Sequence, residues 1–302
     1  MVDLSRRHAR WGERIIMAVL VTAALLSVLT TVGIVISLLA PTITFFQHVN
    51  VWDFLTGTEW TAVFGVEWED KSFGVLPLVT ATMMTTVIAL SVAVPLGLGI
   101  AMLLSEYASR RVRSVVKPVL EVLAGIPTVV YGFFAITAVV PLLEIFVDID
   151  GLYSVLSAGL VMGFMIVPTV ASLSEDAMSA VPSALRQGSY ALGANRMKTT
   201  LRVVFPAALS GIVAAVVLGI SRAVGETMIV TLAAGNLVRL SFNPVEGAQT
   251  MTGFIAQVAT GDAPEGSPLY YSLFAVGALL FVITFVMNLI SIRLVRKYRQ
   301  VY

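Results

Sequence analysis

The chain has 302 residues, 58% of them hydrophobic and only 12% charged, with a formal net charge of +1. Soluble domains carry roughly a quarter charged residues, so this balance excludes a cytosolic enzyme, a disordered tail protein and a nucleic-acid binder. The absence of cysteine and the presence of only two histidines, His8 and His48, remove disulfides and thiolate chemistry, leave little for a metal site, and imply no cofactor or catalytic group.

Six long apolar runs, 15–39, 75–104, 124–143, 152–173, 207–234 and 269–292, read as the spans of an all-α polytopic membrane protein. At ~1.5 Å per residue, ~20 residues cross a ~30 Å hydrocarbon core, so each run suffices. Residues 1–14 hold Arg6, Arg7, Arg10 and Arg14 ahead of an uncharged run of 25 residues. A secretory signal has an apolar core of only about 7–15 residues, so the first run is a retained span. Residues 41–74 form the longest external segment, expected as short interfacial helices and turns. Trp11, Trp52, Trp60 and Trp68 all fall outside the spans, where interface anchors belong. Pro77 and Pro95 are expected to bend the second run.

Arg110, Arg111, Arg113 and Lys117 follow that run, with Glu121 placed to pair locally with Lys117 four residues before it. Pro127 should break or kink the third span and free backbone groups that Thr128 or a passing anion can satisfy. The cytoplasmic loop 175–206 comes next. Pro182 can start a short helix, Gly193 can stop it, and Asn195 can cap a second. The result is a protruding knob or, equally, an amphipathic connector whose cations attract anionic membrane lipid.

The fifth span carries Ser221-Arg222-Ala223-Val224-Gly225-Glu226-Thr227 near its centre. A charge there costs about 2.5–3.5 kcal/mol on insertion scales. Spacing of four puts Arg222 and Glu226 on one helix face, where they can pair. Two readings stand: a satisfied ion pair that locks span five, or a gated cation on an anion's path. In the second, Glu226 holds Arg222 until an oxyanion competes, Gly225 permits close backbone approach, and Ser221 and Thr227 add hydroxyls.

The tail, 293–302, adds Arg293, Arg296, Lys297 and Arg299. Six spans put 16 of the 19 Lys and Arg on one side, against Lys71 and Arg239 on the other. The positive-inside rule then makes both termini cytoplasmic. No GxxxxGK[ST] phosphate loop occurs, so any ATP-driven step needs another polypeptide.

The loop also resembles the cytoplasmic loop of ABC-importer permeases, with pattern Glu-Ala-Ala, three residues, Gly, nine residues, Ile, one residue, Leu-Pro. Gly193 with Ala194 and Pro206 keep its register. Gln187-Gly188-Ser189 stands for Glu-Ala-Ala, and Val203 and Phe205 for the later apolar positions. The resemblance implies that this loop, including Arg196, docks on an ATPase; Gln187 in place of the acid can hydrogen-bond but not form a salt bridge. Gly125-Ile126-Pro127-Thr128-Val129-Val130-Tyr131-Gly132 and Arg222-Ala223-Val224-Gly225-Glu226-Thr227-Met228 are similar to the membrane subunits of the phosphate-specific importer. Phe73-Gly74-Val75-Leu76-Pro77, Pro95 to Ala101 and Met228 are more like its PstC-type subunits. That resemblance implies a type I permease fold in a bacterial inner membrane. The implied partners are a second homologous permease subunit in a heterodimer, two copies of an ATP-binding subunit and an external phosphate-binding protein. Another oxyanion, the partner-type phosphate subunit and an ATPase-independent anion transporter remain as alternatives.

Overall fold

The computed structural model describes residues 11–63, 67–149, 151–261 and 263–298. Arg6, Arg7, His8, Arg10, Asp150 and Arg299 lie outside these described residues. The described chain is built of helices, with a single isolated antiparallel bridge between Trp60 and Phe73.

Helix α1 (Trp11–His48) is followed by the short α2 (Val51–Thr56) and then α3 (Leu76–Met102), which ends in a π turn, Leu103–Tyr107. Next come α4 (Arg110–Ala124), α5 (Thr128–Phe134), a π turn and α6 (Val140–Leu143). The long α7 (Val155–Ser179) leads into α8 (Ser183–Ala191) and α9 (Arg196–Thr199). Another π turn and α10 (Phe205–Ala207) precede α11 (Leu209–Val224). The chain continues with α12 (Met251–Thr260) and α13 (Pro268–Tyr298).

Four helices, α1, α3, α7 and α13, are each long and apolar enough to cross a membrane. Two bent pairs supply the other spans of a six-span bundle: α4 with α5–α6, bent by 87°, and α9–α10 with α11, bent by 72°. The first bend falls at Gly125-Ile126-Pro127, where the sequence expects a break. Pro95 and Pro168 lie inside continuous helices, while Pro77 sits in the first turn of α3, where its missing N–H costs no bond.

Helices α3 and α7 form the rigid centre because glycines let their backbones meet. A Cβ at Gly163 would stand 2.8 Å from the Ala89 carbonyl, and one at Gly97 2.8 Å from Val170. Met162, Met165 and Ile166 of α7 fill the space between α3, α11 and the residues after it, all fully buried. By contrast α1 is apolar all round and almost wholly exposed, as a lipid-facing helix should be. It touches α13, where Thr42 donates to the Phe274 carbonyl at 3.1 Å.

Three expectations change. The first helix does not end near 39: it runs to His48, carrying Pro41 inside it, and so continues into the 41–74 segment. Trp60 and Trp68 are not interface anchors. Trp60 is buried against Phe54, Phe73 and Phe254, and Trp68 stacks on His48 with centroids 4.4 Å apart. Burying several rings in one cluster removes more apolar area from water than separate anchoring would. Trp11 and Trp52 stay exposed. Lastly, span five is not one helix from 207 to 234; it is interrupted at Ala208 and again at Gly225–Thr227.

Candidate functional site

Helix α11 stops at Val224, and helical backbone resumes at Met228 before a π turn, Val230–Ala234. The interruption leaves amide groups without intrahelical partners at the new N-terminus. The Glu226 side chain meets them: its Oε1 accepts from the Met228 N–H at 3.0 Å and the Ile229 N–H at 3.3 Å. Its own carbonyl accepts from the Thr252 hydroxyl of α12 at 2.6 Å. Glu226 is 8% exposed and is held from both ends.

Arg222 therefore does not pair with Glu226, contrary to the expected contact. Pairing at a spacing of four needs continuous helix between the two residues, and Gly225 ends it. The freed amides, with their partial positive charge, compete successfully for the carboxylate. The Arg222 guanidinium instead donates through Nη1 to the Thr169 hydroxyl of α7 at 3.1 Å, its one hydrogen bond among the described residues. It is half-buried. The chemistry left over is a planar, permanently charged donor fork with most of its N–H groups unmet, suited to an oxyanion.

The neighbouring candidates divide. Gly225 is exposed, so its backbone is approachable. The Ser221 hydroxyl donates to Asn288 of α13 at 3.4 Å, and Thr227 is half-buried. Thr128 is half-buried in the first turn of α5, with no hydrogen bond to Arg222 among the described residues. The same helix brings Tyr131 within electrostatic reach of Arg222, while the Tyr131 hydroxyl donates to the Leu123 carbonyl across the bend. Gly132 lets α5 lie against Ile229 and Leu232, and so fixes this helix beside the interruption. Thr169 and Thr252 escaped the sequence reading. A hydroxyl after Pro168 in an otherwise apolar run was the available signal for the first.

The 175–206 loop folds as its punctuation predicts. Pro182 precedes α8, Gly193 adopts φ +80° after it, and the Asn195 side chain accepts from the Lys198 N–H at 2.9 Å. Gln187, Gly188, Gly193 and Arg196 are exposed; Ala194 is half-buried. Ser189 faces inward to the Thr199 hydroxyl at 2.9 Å and joins α8 to α9. Pro206 is exposed in the short α10, one residue pair before the 72° bend. Arg196 lies over the Tyr107 ring at 5.0 Å.

The cations behind this loop are tied down. Arg113 and Lys117 of α4 both bind Glu175, a carboxylate with no exposure at the end of α7, and Lys117 also reaches Asp176 at 3.2 Å. The expected local pair of Lys117 with Glu121 is not formed, because the buried Glu175 offers a less hydrated partner. Arg186 of α8 binds Glu106 at 2.8 Å.

Residues 93–300 match the family described as "Binding-protein-dependent transport system inner membrane component". The chain is 36% identical over 301 residues to the "Probable ABC transporter permease protein YqgH" of Bacillus subtilis, covering 99% of this chain and 96% of that one. It is 32% identical to the "Phosphate transport system permease protein PstC" of Mesorhizobium japonicum, covering 96% and 91%. A bacterial alginate ABC transporter structure, in complex with its pentasaccharide-bound periplasmic protein, shares the fold with a TM-score of 0.64 at 16% identity, covering 95% of each chain.

Proposed function

Because the chain belongs to the binding-protein-dependent transport system inner membrane components, we propose that it is a permease subunit of an ATP-driven importer for inorganic phosphate. It is a multi-pass inner-membrane protein and forms half of a translocation pathway. The other half is a second homologous permease subunit. ATP is hydrolysed on two copies of a separate ATP-binding subunit, and phosphate arrives enclosed in an external binding protein. Both termini face the cytoplasm, as the cation distribution supports. Relatives named as phosphate transport permeases, one of them matched over 96% of this chain and another over 81%, support the cargo.

One observation carries the mechanism: a guanidinium in the middle of span five, half-buried, held by a single hydroxyl. Thr169 orients the fork, and the remaining N–H groups bind two phosphate oxygens side by side. Ser221, Thr227 and the exposed backbone at Gly225 line the approach. Glu226 stays on the Met228 and Ile229 amides and leaves the arginine available. The 183–206 loop rests on the ATP-binding subunit, with Gln187, Gly188, Gly193 and Arg196 on its exposed surface, and receives the push of nucleotide-driven closure.

The test is uptake of labelled phosphate by the reconstituted complex, with sulfate and molybdate as competitors. Arg222→Gln is expected to assemble normally and to lose about a hundredfold in uptake. Full uptake by that variant would remove Arg222 from the pathway, and full competition by sulfate would remove phosphate as the cargo.

A further inference from the structure

Arg186 is the one charged residue of α8, and it points inward. Its Nε and Nη2 both donate to Oε1 of Glu106, at 3.1 and 2.8 Å. Its Nη1 donates to the Val181 carbonyl at 2.5 Å, and Nη2 also reaches the Met178 carbonyl at 2.8 Å. These acceptors belong to two different spans. Glu106 sits in the π turn that ends α3, with its side chain 4% exposed and steadied by the Ser105 hydroxyl at 3.1 Å. Met178 lies in the last turn of α7, its carbonyl shared with the Val181 N–H at 3.2 Å, and Val181 lies just beyond that turn. A buried ion pair is tolerated when further hydrogen bonds complete it, and here four of the five N–H groups of the fork are engaged.

The two spans gripped in this way are those that glycines lock together backbone to backbone at Gly97, Gly159 and Gly163. Helix α7 also carries Thr169, nine residues before Met178, and Thr169 is the hydroxyl that holds Arg222. We propose that Arg186, paired with Glu106, is the positioning residue that ties the cytoplasmic loop to the α3–α7 pair, so that movement of the loop shifts both helices and, through Thr169, the anion ligand Arg222. The inference rests on the importer reading above. It assigns to position 186 an inward mechanical role separate from the outward docking surface around Gln187.

The test uses the complete complex in proteoliposomes and reads phosphate uptake together with ATP hydrolysis. Arg186→Gln and Glu106→Gln are each expected to keep hydrolysing ATP while phosphate moved per ATP falls at least about tenfold. Arg186→Lys, which keeps the charge but not the fork, is expected to fall in between. A second readout is independent of cargo. Nitroxide labels at Leu192→Cys and Leu103→Cys, both exposed sites in a chain without cysteine, report the distance from the loop to the end of α3. That distance should stay single on ATP binding in the native background and broaden in Arg186→Gln. An unchanged transport ratio with an unchanged distance overturns the proposal, as does loss of the ATP-binding subunit from Arg186→Gln. Absence of phosphate uptake by the native complex, with the label distance behaving as expected, would instead count against the cargo.

Discussion

Arg186 in the 175–206 loop and Arg222 in the last turn of α11 make an informative pair. Each is an arginine on a helix of the same half of the chain, and each has a glutamate within its own region. Arg186 spends its donors on Glu106 and two helix-end carbonyls. Arg222 has one hydroxyl, while Glu226 is occupied by backbone amides. An engaged fork holds helices in place; an open one in a membrane is costly unless something else completes it. The difference separates a structural tie from a ligand-binding group more cleanly than charge or burial does.

Substitutions can break or sharpen this contrast. The largest effect belongs to the open fork. Arg222→Gln should lower phosphate uptake by about a hundredfold, the loss of a charge-assisted hydrogen bond of about 3 kcal/mol. Arg222→Lys, with charge but no fork, should cost about tenfold. Uptake rates of the reconstituted complex measure both.

At the rim, Glu175→Gln leaves Arg113 without its anion and Lys117 with Asp176 alone. These cations are 39% and 30% exposed and can rehydrate, so the expected loss is about 2 kcal/mol, read as a lower thermal midpoint of the solubilised complex. A larger loss would mean that the rim tolerates no water at all.

Glu226→Gln keeps an acceptor for the Met228 and Ile229 amides but removes its charge, worth about 1 kcal/mol at a helix N-terminus. Faster hydrogen exchange at those two amides is the expected sign. A change in the environment of Arg222 instead would restore the direct pair that the helix break argues against.

The smallest effect lies in the loop before α12. The Ser241 hydroxyl, then Arg239 and Asn243, hold the Glu246 carboxyl below its usual range. Order contributed by a depressed carboxyl is present above its unfolded value and is lost as pH falls through the folded value, here from about 4.5 downwards. Amide exchange across residues 239–246, compared between about pH 6 and about pH 3, should rise only at the acid end.

Much of the molecule is legible in one dimension because its rules are local. A run of apolar residues long enough to cross the hydrocarbon must become a span, whatever it packs against. Pro182, Gly193 and Asn195 punctuate the loop through their own backbone chemistry, and the bend at Pro127 follows from a missing N–H and a ring clash. Arg222 stands out because it is the one cation within the six apolar runs.

Partner choice was not legible, because it depends on which groups the fold leaves unmet and brings near. Spacing offered Glu226 to Arg222 and Glu121 to Lys117. Tertiary structure gave Glu226 to two amides, Lys117 to the buried Glu175, and Arg222 to a threonine on another span. The sequence alone determined the long apolar runs, the cations between them and the one cation set within them, since each bears on the cost of taking chain segments or charges out of water. Only the tertiary structure decided which carboxylate each cation keeps and that one guanidinium is left open, since that competition is settled by donors and acceptors from helices far apart in the chain.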